Sequence, residues 1–188
     1  MLALLSSPCT LLVRGPPVQF ASRTLAGMRM ISTSLPAVLS GGLLDSTGAA
    51  VDGTALSGKR VALYFTAGWC PMCTSFEPAL DAFRSAAEAD GAPVELIYVS
   101  SDRSASDAMA RAATLGTLQV PFGEASDTLK RDLRVWAGME TMRFGMLRRS
   151  GVPALVVLNP AGEEVAFLDA ERRGAAALKK WPAGGQWP

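Results

Sequence analysis

An α/β fold with a central mixed sheet, helices on both faces and a closing β-hairpin and helix is what the sequence predicts. Two short β-favouring apolar runs, Val61-Ala62-Leu63-Tyr64-Phe65 and Val94-Glu95-Leu96-Ile97-Tyr98-Val99, flank a stretch of helical spacing. A strand, a crossover helix and a second strand imply a parallel pair with a right-handed connection. Farther on, Ala154-Leu155-Val156-Val157-Leu158, the turn Asn159-Pro160-Ala161-Gly162 and Glu164-Val165-Ala166-Phe167-Leu168 carry a hairpin signal, which adds antiparallel strands.

Each element has a local reason. The first run follows Gly58-Lys59-Arg60, reads as a strand buried on both faces, and delivers the chain to Trp69-Cys70. Pro71 suits the first position of a helix, whose apolar side is Phe76, Leu80, Ala82 and Phe83 and whose end is Gly91. Pro78 falls inside it and is expected to kink it. Behind the second run, Ser104-Ala105-Ser106-Asp107 resembles a helix cap. Residues Ser126 to Arg149 read as mostly helical, and a last helix is expected from about Arg172 to Lys180. The order is βαβα, a helix, then ββα, with no internal repeat.

The chain has 188 residues, 49% of them hydrophobic and 19% charged, enough for one good core. A net charge of +1 without clustered Lys and Arg gives no footing for nucleic acid. There is no histidine, which removes Ser-His-Asp and Cys-His nucleophile pairs and every imidazole metal site. From Met1 to Leu44 no acid occurs, while Arg14, Arg23 and Arg29 sit among Ser and Thr, the composition of a transit peptide. Residues 1–35 are therefore read as a cleavable, disordered transit peptide and 36–188 as the folded domain. The expected destination is the mitochondrion, with chloroplast or cytoplasm as alternatives and a disordered tail without an address as the bland one. Losing three of the 18 basic residues leaves 15 against 17 acids, a charge of about −2. Pro8 and Arg14 interrupt any secretory core, and no apolar run reaches the ~18 residues of a spanning helix, so neither secretion nor a membrane is expected.

Three cysteines occur, Cys9, Cys70 and Cys73, and Cys9 goes with the leader. The close pair is redox-active, metal-binding or inert. A closed zinc site usually wants about four Cys or His ligands, which this chain cannot supply. A thiol attacks as its thiolate, and the unsatisfied N–H groups and positive dipole end at the start of a helix favour an anion there. Cys70 has that position. Cys73, three residues on, comes round to the same side and can reach the first sulfur. The expected chemistry is attack by Cys70 on a disulfide, a mixed disulfide, then resolution by Cys73. Pro71 and Met72 between them bring no charge.

Gly151-Val152-Pro153 in isolation is an ordinary turn. Placed ahead of the hairpin, it makes Pro153 a candidate cis-proline facing the dithiol, where the backbone at Val152 would pair with an extended substrate segment. Trp69 is either core packing or a shielding wall beside the thiols, the second being preferred.

Tyr64 to Cys73 reads YFTAGWCPMC and Ile97 to Ser104 reads IYVSSDRS. With Phe76, Pro78, Val120-Pro121-Phe122, the Gly-x-Pro turn and Lys180-Trp181-Pro182, these resemble the nucleoredoxin and tryparedoxin branch of the thioredoxin superfamily over about Leu56 to Pro182. The resemblance implies a thioredoxin fold, nucleophile Cys70, resolving Cys73, shielding Trp69 and cis-Pro153. Tyr64 stands where many thioredoxins carry a buried acid. The family commonly has WCPPC followed by Arg, whereas Met72 and Thr74 stand here, removing one thiolate stabiliser and giving the loop a soft apolar surface. The segment between Phe122 and Gly151 is longer than the family's, and its Trp136, Met139, Met142 and Met146 are expected in the core.

The function expected is a thiol–disulfide oxidoreductase, specifically a protein-disulfide reductase, working as a monomer without cofactor or metal. Its partners would be protein or small-molecule disulfides and a thiol electron donor. A redox-sensing or non-catalytic binding module on the same fold is the alternative. A peroxidase ranks below both, because Thr66 stands four residues ahead of Cys70, not the three common in peroxiredoxins.

Overall fold

The computed structural model describes residues 42–183. The chain opens with β1 (Leu43–Leu44) and β2 (Ala50–Val51), passes a 3-10 turn at Gly53–Leu56, and enters β3 (Arg60–Thr66). The central unit is α1 (Pro71–Ala89), β4 (Val94–Ser100), α2 (Ala105–Leu115) and β5 (Leu118–Gln119). Then come α3 (Glu124–Leu133), a 3-10 turn at Gly138–Glu140 and α4 (Thr141–Phe144). The hairpin β6 (Ala154–Leu158) and β7 (Glu164–Leu168) leads to α5 (Ala170–Arg173) and a 3-10 helix at Gly174–Lys180.

This is a thioredoxin fold. The sheet runs β2-β1-β5-β4-β3-β6-β7, with β3 parallel to β4 and antiparallel to β6. The register sets Tyr64 beside Tyr98 on one side and Leu155 on the other. Because successive strand residues point to opposite faces, Val61, Leu63 and Phe65 join one core layer with Leu129 of α3, while Ala62 and Tyr64 join another with Phe76 and Leu80 of α1. Burying each such aliphatic or aromatic side chain is worth roughly 2 kcal/mol, so the two layers hold β3 centrally and fix where it releases the chain.

Local signals set the helix ends. Pro71 occupies the first turn of α1, which runs on through Pro78. Ser104 caps α2, its hydroxyl accepting from Asp107 N at 3.1 Å. Gly116, at φ 57°, ends α2 in a left-handed turn that favours glycine.

Some expectations are corrected. Residues 126–149 are mostly helical, but in separate pieces: α3 stops at Leu133, where Arg134 takes φ 58°, and a 3-10 turn and the four-residue α4 follow. The Met and aromatic spacing there therefore does not build one buried helical stripe. Trp136 is buried, but Met139, Met142 and Met146 are exposed, Met142 almost fully. The final helical stretch begins earlier, at Ala170, and is mainly 3-10. Strands β1, β2 and β5, of two residues each, are too short to show a period in the sequence. The leader, the boundary after residue 35 and Cys9 lie outside the described residues. Among the described residues no helix is long and apolar enough to cross a membrane.

Candidate active site at the amino end of α1

Strand β3 ends at Thr66, and Ala67, Gly68 and Trp69 turn the chain into α1. Cys70 is the N-cap residue, with extended φ −86° and ψ 115°, and no side chain caps that turn. Its N–H donates to Ala67 O at 3.1 Å, and its carbonyl accepts the first helical bond from Thr74 N at 3.1 Å. The thiol so stands at the positive end of a 19-residue helix. Both Cys70 and Cys73 are free thiols. Cys70 is 7% exposed and Cys73 is not exposed at all.

Burial pushes the Cys73 thiol up to about 12, reinforced by Cys70 and opposed by the Thr66 hydroxyl and the Ala67 backbone. A raised folded-state value means the native state holds this proton after the unfolded chain, near 9, has lost it. The associated stability is complete below about pH 9 and is lost progressively as pH climbs toward 12. Cys73→Ala is expected to flatten this decline, the difference between the two proteins changing by about 1 kcal/mol between pH 8 and 10. Parallel urea titrations at both pH values test this, and identical slopes against pH would refute it.

Opposite the thiols, the Val152–Pro153 peptide bond is cis, and Cys70 Sγ lies 3.9 Å from Val152 O. The preceding residue is clamped: Gly151 N donates to Glu171 Oε2 at 2.7 Å, and Glu171 pairs with Arg148 at 3.2 Å. Arg148 in turn donates to Trp136 O at 2.8 Å. On the other flank, Trp69 is 36% exposed and its indole N–H donates to Ser101 O at 2.9 Å. Asp102 accepts from Gly68 N at 2.8 Å, Tyr98 OH at 2.6 Å and Ser100 Oγ at 2.8 Å, tying the loop ahead of Trp69 to the end of β4. Met72, half exposed, lines a groove of about 430 Å³ with Pro71, Ser75, Phe76, Ala170 and Glu171.

The fold thus brings Trp69, Cys70, Pro71, Met72, Cys73, Val152 and Pro153 to one end of the sheet. Tyr64 lies below them, fully buried, and burial holds its phenol far above its usual range. Sequence reasoning missed the Glu77–Arg111 ion pair, Thr66, Asp102 and the Arg148–Glu171 clamp. Only Glu77 left a trace: it is a carboxylate on the apolar side of α1, between Phe76 and Leu80 and four residues after Cys73. Among the described residues no cluster of three or more His, Cys, Asp or Glu could hold a metal ion.

A family profile described as thioredoxin-like matches residues 58–164, more than half of the chain. The chain belongs to the thioredoxin-like family. Within it, the relatives point to the nucleoredoxin and tryparedoxin branch. Bos taurus nucleoredoxin is 34% identical over 130 residues, covering 68% of this chain and 27% of its own length. Probable nucleoredoxin 2 of Oryza sativa is 36% identical over 123 residues, 65% of this chain and 28% of the relative. The thioredoxin-like chain therefore matches little more than a quarter of either nucleoredoxin. Among solved structures, tryparedoxin II from C. fasciculata superposes with a TM-score of 0.56 at 27% identity, covering 82% of this chain and 94% of that one. Tryparedoxin I from Leishmania major gives 0.51 at 30% identity, covering 78% and 90%.

Proposed function

We propose that this thioredoxin-like chain is a thiol–disulfide oxidoreductase acting as a protein-disulfide reductase. The observation that carries the reading is the thiol of Cys70 at the N-terminus of α1, facing the Val152 carbonyl, with Cys73 sealed one turn behind it. The helix end favours the anion that attacks. Cys70 bonds to one sulfur of the substrate disulfide and the other sulfur leaves as a thiolate. Cys73 then attacks Cys70, the protein disulfide forms, and the substrate departs reduced. The backbone at Val152 pairs with an extended substrate segment, and Trp69 and Met72 provide contact area on either flank.

The test is insulin reduction with dithiothreitol as electron donor. Catalytic amounts of wild type are expected to precipitate the insulin B chain well ahead of dithiothreitol alone. No acceleration would end the reductase reading. Trp69→Ala is expected to raise KM for a protein disulfide about fivefold while leaving kcat within about twofold, since an aromatic wall contributes roughly 1 kcal/mol of contact. Steady-state kinetics on insulin check this, and an unchanged KM would make Trp69 mere packing.

A further inference from the structure

Cys73 and Glu77 stand four residues apart on α1, so they lie one above the other on the same face. That face is the buried one, shared with Phe76 and Leu80. Glu77 is 8% exposed. Its Oε2 pairs with Arg111 of α2, while its Oε1 is buried without a hydrogen-bond partner. One carboxylate oxygen is thus held and the other is free. Three more buried polar atoms of the same cluster lack a well-formed hydrogen bond: Tyr64 OH, Thr66 Oγ1 and Arg111 Nε. Folded proteins leave few such atoms, and four beneath a buried thiol call for a reason.

We propose that Glu77, held by Arg111, accepts the proton of the Cys73 thiol when Cys73 resolves the mixed disulfide. The inference rests on the dithiol reading above. Cys73 is closed to solvent and holds its proton tightly, so it cannot become a thiolate without an acceptor nearby. The Thr66 hydroxyl lies beside both Cys73 and Tyr64, and the Tyr64 phenol lies toward Glu77, so the two hydroxyls, each able to accept and donate, offer the relay. The groups against Glu77 are Arg111 of α2 and Tyr64 of β3, with Cys73 one helical turn before it on its own helix and Tyr98, itself bonded to Asp102, beside Arg111. In the step, the Cys73 proton passes to Glu77, and the thiolate forms a bond to Cys70 Sγ. The bond from Cys70 to the substrate sulfur breaks, and the substrate leaves as a thiolate that takes up a proton from Glu77 or water. Two electrons pass from the protein dithiol to the substrate.

Dithiobis-nitrobenzoate separates the two steps in stopped flow, because each releases one coloured thionitrobenzoate. Glu77→Gln is expected to leave the first release within about twofold and to slow the second about 100-fold at neutral pH, with Glu77→Asp regaining part of the loss. A merely structural role would slow both together, and equal changes or an unaffected second release would overturn the proposal. Should Glu77→Gln not fold, as judged by thermal unfolding, wild type alone decides. Its second release is expected to vary less than about twofold between about pH 6.5 and 8, whereas a tenfold rise per pH unit would make hydroxide the acceptor and refute Glu77. No first release from wild type, or an undiminished one in Cys70→Ser, refutes the underlying dithiol reading.

Discussion

Cys73→Ser is expected to stall exchange after its first step, and Cys70→Ser to abolish it at the outset. In the first variant Cys70 still stands at the helix end and still attacks, but a serine hydroxyl cannot displace the substrate from the mixed disulfide. The product is a covalent protein–substrate adduct, stable until a reductant is added, and turnover on insulin falls at least about a thousandfold. In the second variant no adduct forms, because Cys73 is fully closed to solvent and lacks the helix-end position. Non-reducing electrophoresis and mass analysis after incubation with a disulfide substrate distinguish the two. An adduct on Cys73 in the Cys70→Ser protein would reverse the assigned roles, and normal turnover by either variant would remove the dithiol from the mechanism.

Gly151→Ala is expected to destabilise the domain by about 2 kcal/mol and to impair exchange through the Pro153 loop. A Cβ on Gly151 would overlap the Glu171 carboxylate and lie 2.6 Å from Arg148 Nη1. Glu171 must then swing away, giving up the Gly151 N–H bond and the Arg148 pair. A buried N–H left without its acceptor costs about 1–3 kcal/mol, comparable to modest overpacking. For a chain of this size that is a fall of roughly 4–8 °C in Tm. Adding Glu171→Ala makes room for the methyl group, so the double variant is expected to be no less stable than Glu171→Ala alone. Strict additivity of the two losses, measured by urea unfolding, would show that the clamp is not what Gly151 serves.

Much of this architecture is written in short-range chemistry. The apolar runs of β3, β4 and β6 are legible because strands buried on both faces need continuous Val, Leu and Ile. Pro71 behind Cys70 marks the start of α1 because a proline at the first helical position gives up no intrahelical hydrogen bond and its fixed φ already suits the helix. The turn at Asn159-Pro160-Ala161-Gly162 announces the hairpin. Where the pattern misled, the cause is specific. Trp136, Met139, Met142 and Met146 repeat at three- and four-residue spacing, but Arg134 turns the chain out of α3 before that period can bury the three methionines. Two-residue strands such as β5 exist only because β4 is there to pair with.

By itself, then, the sequence determined the α/β layout, the dithiol at a helix start and the Gly-x-Pro ahead of the hairpin, because spacing, capping and strand preference act over a few residues. Tertiary structure alone decided what surrounds the two sulfurs. It brought Val152 within reach of Cys70 across 82 positions of chain, pinned Gly151 with Glu171, and paired Glu77 with Arg111 across 34. Such contacts depend on which buried polar groups find partners once the sheet has closed, and no local pattern records that.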